Sequence, residues 1–194
     1  MTLTKRSSRY AILGLLSLKP LSGYGLRQLA QQSIGHFWSE SYGQIYPTLK
    51  QLVKEGLATA RTEQTKGKPD RHVYSITANG LKELQSWLKV PTGRENPRSE
   101  LLLKLFFSGR VPLPESIQHV NRYRAEHQRL LQIYDQTEKQ LKKAHSRNPD
   151  LFFWLITISF GRHRSQAYVD WCDETLKVLA RSVQRPPKKT KGES

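Results

Sequence analysis

The sequence predicts a mainly α-helical protein with one small β-hairpin, divided into two domains. Residues 1–90 contain four short helical patterns and two segments rich in Val, Thr and Tyr, whereas residues 99–183 contain much longer helical patterns. Residues 91–98 (PTGRENPR) carry the proline and glycine that are typical of a linker. Residues 184–194 are almost devoid of apolar side chains, and we expect them to form a disordered basic tail.

The composition indicates a soluble protein with a strong positive charge. The 194 residues are enough to bury a core, and 37% of them are hydrophobic. The 32 Lys and Arg residues outnumber the 16 Asp and Glu residues, giving a net charge of +16. This charge favours a polyanionic partner, either nucleic acid or an anionic membrane surface. Residues 1–90 hold 13 basic and 5 acidic groups, so we expect the main basic surface there.

Membrane and secreted classes are not favoured. The longest apolar run, residues 151–160, is far shorter than the ~20 residues that cross a bilayer. The first ten residues lack the pattern of a cleaved leader peptide. A single cysteine, Cys172, excludes an internal disulfide framework. We therefore expect a cytoplasmic protein with no membrane partner.

Three short helices are predicted at the start of the chain. Ser8 precedes the apolar residues 10–18, which suit a helix that is buried on most sides. Ser22 is a good N-cap for a second helix over residues 23–32, and Ser41 is a good N-cap for a third.

The third helix is predicted to be amphipathic and to end at Gly56. Its apolar residues recur with the spacing of one helix face; they are Ile45, Leu49, Leu52 and Val53. Pro47 lacks a backbone donor, so we expect the helix to begin near Gly43, which places Pro47 in the first turn or just beyond it.

A β-hairpin and a fourth helix follow. LATART (57–62) and RHVYSI (71–76) are short, β-branched segments separated by the turn-rich sequence EQTKGKPD (63–70). Thr77 is a good N-cap for the helix after them. Three helices, a hairpin and a returning helix make the order of a winged helix-turn-helix domain.

This order predicts a DNA-binding surface. Once the apolar face of the third helix is buried, the opposite face offers groups that read base edges and hold phosphates. The hairpin tip and the start of the first helix add basic groups. The candidate DNA-binding residues are Arg6, Arg9, Gln44, Tyr46, Thr48, Lys50, Gln51, Lys54, Lys66, Lys68 and Arg71. The third helix or the hairpin alone could be an ordinary surface feature, but their order and the basic excess together favour a DNA-binding function.

The motifs LGLL (13–16), GYG (23–25), GQIYPTL (43–49) and RHVYSIT (71–77) occur in this order. With Gly56-Leu57, Gly80 and Trp87-Leu88, they resemble the PadR family of bacterial transcriptional regulators over residues 8–90, and IYPTL is the most specific of them. The resemblance implies a DNA-binding regulator, most often a repressor. It also implies that Tyr24 and Tyr46 lie near the DNA-facing surface and that Pro47 is a family feature.

The second half predicts a short helix over residues 99–109, a long helix opened by Pro114, and a last helix of about 35 residues starting near Asn148-Pro149-Asp150. A helix of this length cannot bury its apolar face within one small domain, which favours a second copy as its partner. The predicted dimer interface consists of Leu151, Trp154, Leu155, Ile158, Tyr168, Trp171, Leu176 and Leu179.

This half is similar to the C-terminal helical domain of the longer PadR proteins, through LKLFFSG (103–109) and residues 168–179. The resemblance implies that these helices form a homodimer. Two recognition helices roughly 34–36 Å apart would fit successive major-groove faces of a palindromic operator.

Aromatic side chains are dense in the second half, and two interpretations stay open. They form core and dimer interface, or they line a small-molecule pocket between helices. The resemblance supports a small aromatic effector, because some members of the family respond to phenolic compounds. For that case we predict an effector pocket that contains Phe106, Phe107, Phe152, Trp154 and Tyr168.

No catalytic, metal or cofactor site is predicted. The six histidines include no pair at the i, i+4 spacing of a helical metal site. Cys172 is expected to be a buried thiol. We therefore expect no enzymatic function and no cofactor. The alternatives to an operator-binding regulator are an RNA-binding protein and an architectural winged-helix protein without an effector.

Overall fold

A computed structural model of the chain describes residues 3–38, 42–63, 71–93 and 98–183, and side chains are described from residue 8 to residue 181 within these ranges, apart from that of residue 42. The chain forms two compact units, Met1–Glu95 and Asn96–Ser194. Each unit is described by itself below.

The N-terminal unit is a winged helix-turn-helix domain of four helices and three strands. Its elements are α1 (Leu3–Leu18), β1 (Leu21–Ser22), α2 (Gly23–Gln32), α3 (Tyr42–Lys54), β2 (Ala58–Glu63), β3 (Arg71–Ile76) and α4 (Ala78–Leu88). The predicted hairpin is therefore confirmed. Helix α1 begins earlier than expected, because residues 3–9 contain no proline or glycine that would break a helix. Ser8 is therefore a buried residue within the helix and not a residue that precedes it.

Local side-chain signals define the ends of these helices. Ser22 accepts a hydrogen bond from the Gly25 amide, and Thr77 accepts one from the Gly80 amide, so both predicted N-caps are confirmed. Gly56 has a φ of 69°, the left-handed conformation that glycine adopts readily after a helix. The predicted cap Ser41 lies outside the described residues.

The sheet contains a strand that the sequence did not predict. β3 is its central strand, with β2 antiparallel on one side and the two-residue β1 antiparallel on the other. Leu21 pairs with Tyr74 and Ser22 pairs with Val73. The segment between α1 and α2 is therefore fixed to the hairpin by backbone pairing.

One hydrophobic core holds the N-terminal unit together. It is built from the apolar faces of all four helices and the inner face of the sheet. Leu13 and Leu49 have no exposed surface, and Leu26 and Leu52 are almost as deeply buried. Beside this core, the rings of Tyr10 and Trp87 stack with their centroids 4.6 Å apart. The apolar periodicity of α3 thus corresponds to its buried face.

The C-terminal unit consists of a short helix and two long ones. They are α5 (Glu100–Phe106), α6 (Leu113–Ala144) and α7 (Leu151–Val183), with one 3-10 turn over Ser108–Arg110. Ser99 caps α5 by accepting a hydrogen bond from the Leu102 amide. Pro114 lies in the first turn of α6, where its missing donor costs little.

Helices α6 and α7 pack as an antiparallel pair. Moving forward along α6, Arg124, Tyr134 and His145 meet residues progressively earlier in α7, which are Asp173, Gly161 and Trp154 respectively. The helices approach closely at Gly161, where an added Cβ would lie 2.6 Å from Cζ of Tyr134. A glycine at this position therefore lets the two helices come close together.

The face of α7 that α6 covers differs from the predicted dimer interface. The buried residues of α7 are Ile158, Gly161, Ser165, Val169 and Cys172. Ile158 is thus buried within a single chain and needs no second copy to cover it. The other predicted interface residues are half-buried or, for Tyr168, just exposed. The length of α7 suggested a second copy as its partner, but the 32-residue helix α6 is long enough to cover one face of α7 within the chain.

Candidate nucleic-acid interface

The outward face of α3 is the centre of the candidate interface. Ile45, Leu49 and Leu52 are buried on the inner face. The exposed residues of the helix are Gly43, Tyr46, Pro47, Lys50, Gln51 and Lys54. Gln44 and Thr48 are half-buried and lie at the edge of this face. The exposed set combines two ammonium groups, an amide and a phenol, which suits contact with phosphates and base edges.

Pro47 lies inside α3. The helix begins at Tyr42, close to the predicted start, and Pro47 is its sixth residue. The proline has no N–H with which to bond the carbonyl of Gly43, its i−4 residue. Pro47 therefore lies just beyond the first turn, as expected.

Tyr46 packs across the start of α2. An added Cβ on Gly23 would lie 2.6 Å from Cε1 and 3.1 Å from the hydroxyl oxygen of Tyr46. The Tyr46 side chain is nevertheless 55% exposed, and that of the neighbouring Tyr24 is exposed as well. Both tyrosines thus lie on the solvent side of the helix-turn-helix.

Glu55, directly after α3, holds two of the predicted DNA-binding residues. Its Oε2 lies 2.7 Å from Nη2 of Arg9, and its Oε1 accepts a hydrogen bond of 2.7 Å from Nε2 of Gln51. Arg9 also lies 3.9 Å from Glu83 of α4, whose Oε1 accepts a hydrogen bond from the Tyr10 hydroxyl. Arg9 therefore connects α1 to the end of α3 and to α4, and Gln51 is oriented by a carboxylate.

The hairpin contributes basic groups at the ends of its strands. Arg71 is exposed at the start of β3 and pairs in the ladder with Glu63, the last residue of β2. Arg61 is exposed and bonds Glu63 through its guanidinium group. The predicted wing-tip residues Lys66 and Lys68 lie outside the described residues, as does the side chain of Arg6.

The C-terminal unit contains a groove between α5, α6 and α7. It has a volume of about 910 Å³. Aromatic and aliphatic groups line it together with basic and acidic ones; the lining residues are Arg98, Ser99, Glu100, Leu101, Leu102, Lys104, His119, Arg122, Tyr123, Glu126, Ala167, Tyr168 and Trp171. An apolar floor with several guanidinium and ammonium groups suits a small aromatic anion.

His127 lies beneath two of the groove's aromatic rings. Its ring centroid is 4.5 Å from that of Tyr123 and 4.6 Å from that of Tyr168, and its Nδ1 is 3.2 Å from Oγ of the buried Ser165. Burial is the main cause that lowers the pKa of His127, with a smaller effect from Arg164 and an opposing one from Glu126. Burial likewise raises the pKa of Tyr123, helped by Tyr168. The rings of Tyr123, His127 and Tyr168 thus pack together at the floor of the groove.

The structure does not bring the five predicted effector-pocket residues together. Tyr168 lines the groove, but Trp154 is fourteen residues earlier in α7, about 21 Å along the helix axis, and contacts His145. Phe106, Phe107 and Phe152 are all exposed, and Phe106 is 82% exposed. The lining residues that were not predicted for this pocket lie just before α5, on α5 and α6, and at Ala167 and Trp171 of α7. The i, i+4 pair Tyr123 and His127 was the available signal, because it marks a ring-bearing face of α6.

The described part of the chain contains neither a candidate metal site nor a candidate membrane span. In those residues no group of three or more His, Cys, Asp or Glu side chains is arranged to hold a metal ion. No helix among them is both long and apolar enough to cross a membrane.

The fold and the polar face of α3 define a winged helix-turn-helix protein with a C-terminal pair of long helices. Residues 12–86 match the model of the transcriptional regulator PadR-like family, and residues 97–180 match the model of the virulence activator alpha C-terminal domain. The negative transcriptional regulator PadR of Bacillus subtilis (strain 168) is 30% identical over 182 residues, which cover 90% of this chain and 98% of that protein. The chain belongs to the PadR-like family and is a transcriptional regulator.

Solved structures agree with this assignment. Bacillus subtilis PadR in complex with operator DNA has a TM-score of 0.77 and 29% identity, covering 89% of this chain and 99% of that chain. The same protein in complex with p-coumaric acid has a TM-score of 0.71 and 28% identity, covering 93% and 98%. The Vibrio cholerae virulence activator AphA has a TM-score of 0.70 and 25% identity, covering 90% and 98%. The similarity thus extends over both units.

Proposed function

We propose that this regulator binds a palindromic operator in double-stranded DNA as a homodimer and represses transcription until a small aromatic effector releases it. The observation that carries the proposal is the exposed face of α3, where Lys50, Gln51 and Lys54 project from a helix whose other face is buried. The Bacillus subtilis relative, with the same fold, has been solved in complex with operator DNA. On this proposal the protein acts in the cytoplasm without enzymatic activity, metal or cofactor.

The residues of the interface have different proposed roles. Lys50, Lys54 and Arg71, with Arg6, Lys66 and Lys68, hold phosphates through charge, which favours all sequences alike. Gln51, with Gln44 and Thr48 at the edge of the face, reads base edges. Tyr24 and Tyr46 pack against the backbone beside the helix-turn-helix. Arg9 acts indirectly on this view, because Glu55 and Glu83 hold its guanidinium group within the domain.

The test measures binding to the DNA upstream of the protein's own gene, by fluorescence anisotropy at several salt concentrations. Lys50→Ala and Lys54→Ala should each weaken binding to all sequences and lower the salt slope by about one. Lys82→Ala is the matched control, since Lys82 is an equally exposed lysine on α4. Equal binding to unrelated duplexes, or stronger binding to RNA, would favour an architectural or RNA-binding protein instead.

Dimerisation is supported by the exposed apolar residues near the start of α7. Phe152, Phe153, Ile156 and Phe160 are all at least half exposed in the single chain. An apolar surface of this kind is typical of an interface. We propose that they are covered by a second copy, together with the half-buried or partly exposed residues Leu151, Trp154, Leu155, Tyr168, Trp171, Leu176 and Leu179.

Light scattering on the intact protein should give about twice the chain mass of 22.4 kDa. The double variant Phe153→Ser, Phe160→Ser should shift the mass towards the monomer and weaken operator binding, because only a dimer engages two half-sites. Leu88→Ser, an exposed apolar residue of α4, is the control that should change neither. A monomeric wild-type protein at micromolar concentration contradicts the proposal.

The groove of the C-terminal unit is the proposed effector site. Arg98 and Arg122 can pair with a carboxylate, while Tyr123, Tyr168 and Trp171 offer aromatic faces. A p-coumaric acid complex has been solved for the Bacillus subtilis relative. A ligand shifts operator affinity only by its preference between protein states, and a tenfold release needs about 1.4 kcal/mol of differential binding.

Tryptophan fluorescence and operator binding should be followed together while hydroxycinnamic acids are added. Arg122→Ala should weaken both the fluorescence change and the release of DNA, whereas Lys139→Ala, an exposed residue of α6 outside the groove, should leave both unchanged. Saturating ligand that quenches fluorescence without changing operator affinity would contradict an effector role.

A further inference from the structure

Two residues on the outward face of α3 have no evident purpose within the described part of the chain. Gly43 and Pro47 are exposed and lie one turn apart. At about 100° per residue, Pro47 points about 160° away from Leu49, which has no exposed surface. The same line along the helix continues through Lys50 and Lys54. Gly43 and Pro47 therefore form the part of the outward face closest to the N-terminus of the helix.

Nothing in the described residues of this domain requires a glycine at position 43. Its φ is not in the positive range, and an added Cβ would meet no atom within 4 Å. Alanine is the better helix former and would fit the space. Gly23 differs in this respect, because the Tyr46 ring occupies the position of its missing Cβ.

The proline is equally unfavourable to the helix that contains it. Pro47 lies beyond the first turn, so its ring removes the donor that the Gly43 carbonyl would otherwise receive. Its ring is exposed and does not belong to the core. Two adjacent residues of the recognition face thus weaken the helix without improving packing within the chain.

We propose that Gly43 and Pro47 determine operator specificity by an apolar contact in the major groove. This inference rests on the proposed DNA binding of α3. Without a Cβ, Gly43 lets the helix backbone approach the base edges closely. The Pro47 ring then packs against the C5-methyl group of a thymine, the apolar group that distinguishes this base in the major groove. Lys50 and Lys54, further along the face, bind phosphates and so fix how far the helix lies from the bases.

The experiment compares stability and DNA binding in Gly43→Ala, Pro47→Ala and Gly14→Ala. Gly14 is the matched control, because its added Cβ also meets no atom within 4 Å and it lies on α1. None of the three variants should melt below the wild type, since each introduces a better helix former. Gly43→Ala and Pro47→Ala should weaken operator binding about fivefold or more, within the range that one lost base contact gives, and leave random DNA unchanged. Gly14→Ala should leave both unchanged.

A second measurement isolates the methyl group. Each thymine of the operator is replaced in turn by deoxyuridine, which removes only the C5-methyl. One replacement per half-site should weaken wild-type binding about threefold to fivefold, as the loss of one buried methyl predicts, and should have no effect on Pro47→Ala.

The outcomes separate this inference from the proposed function. A wild-type protein that does not prefer its operator overturns both. A wild type that binds its operator, with Gly43→Ala and Pro47→Ala binding equally tightly, overturns the inference alone. Equal weakening on operator and random DNA, or a deoxyuridine effect that persists in Pro47→Ala, also overturns it.

Discussion

Arg9 and Glu55 are 46 residues apart in the sequence, yet Nη2 of one lies 2.7 Å from Oε2 of the other. Their ion pair joins the middle of α1 to the residue directly after the recognition helix. The side chain of Arg9 is only 20% exposed, so solvent screens this pair less than it screens an open surface pair. The position of α3 on the core is thus fixed at its C-terminal end by charge as well as by packing.

Glu55→Gln should lower the free energy of unfolding by about 1 kcal/mol, the upper part of the range for a partly exposed pair. It leaves Arg9 with the more distant Glu83 and weakens the hydrogen bond that orients Gln51. Urea denaturation measures the change. Glu63→Gln, which breaks the pair of Glu63 with the exposed Arg61, is the control and should have almost no effect. Equal losses of unfolding free energy in the two variants would show that the burial of Arg9 does not strengthen its ion pair with Glu55.

Gly23→Ala should weaken operator binding with little loss of stability. The added Cβ overlaps the Tyr46 ring, and this exposed ring is free to rotate away from its place at the start of α2. Once Tyr46→Ala has removed the ring, Gly23→Ala should have no further effect on binding. A double-mutant cycle by anisotropy measures this coupling. Additive effects would show that the two residues act separately.

Gly161→Ala should destabilise the C-terminal unit by about 1–3 kcal/mol, the usual cost of overpacking. The added Cβ would lie 2.6 Å from Cζ of Tyr134, which is buried and cannot move out as Tyr46 can. Thermal unfolding by circular dichroism checks this result. Gly109→Ala is the control, because its Cβ would meet no atom within 4 Å. A melting temperature for Gly161→Ala equal to that of the control would contradict the close approach of α6 and α7.

Stability should fall as the pH drops through about 6.5, the ordinary pKa of histidine. Burial lowers the pKa of His127 in the folded protein, so the unfolded chain binds more protons between that lowered pKa and the ordinary one. The stability that neutral His127 provides is therefore present above the unfolded pKa and is lost below it. Urea unfolding of His127→Gln and of the wild type between pH 7.5 and 5.5 should show a shallower slope for the variant.

Much of the N-terminal unit could be predicted because its signals are local. Ser22 and Thr77 cap helices within three residues, and Gly56 ends a helix within one turn. Strand β1 could not be predicted in this way, because Leu21 gains strand geometry only by pairing with Tyr74, 53 residues later. A strand of only two residues is too short to show the alternation of apolar and polar side chains that marks a strand in a sequence.

The candidate sites show the same limit. The exposed face of α3 follows from one helix and was largely predicted, although Gln44 and Thr48 are half-buried. The partnership of Arg9 with Glu55 depends on tertiary packing and was missed. The groove joins residues of three helices, and grouping aromatic residues by composition selected Phe106 and Phe152, which point to solvent. Composition reports how many rings are present, whereas the register of α6 on α7 decides which of them meet.

The β2–β3 ladder ends at the pair Glu63 and Arg71, and the central strand is anchored on its other side by β1. The described backbone pairs of the sheet involve no residue between 63 and 71, so substitutions in that segment remove none of them, whereas a single residue added inside β3 before Tyr74 would shift Tyr74 out of its register with Ala60 and turn it out of the core. The charge of the wing segment can therefore change at little cost to the sheet. On the proposed role of Lys66 and Lys68, such changes alter how strongly the protein holds phosphates, while the recognition helix keeps its sequence preference.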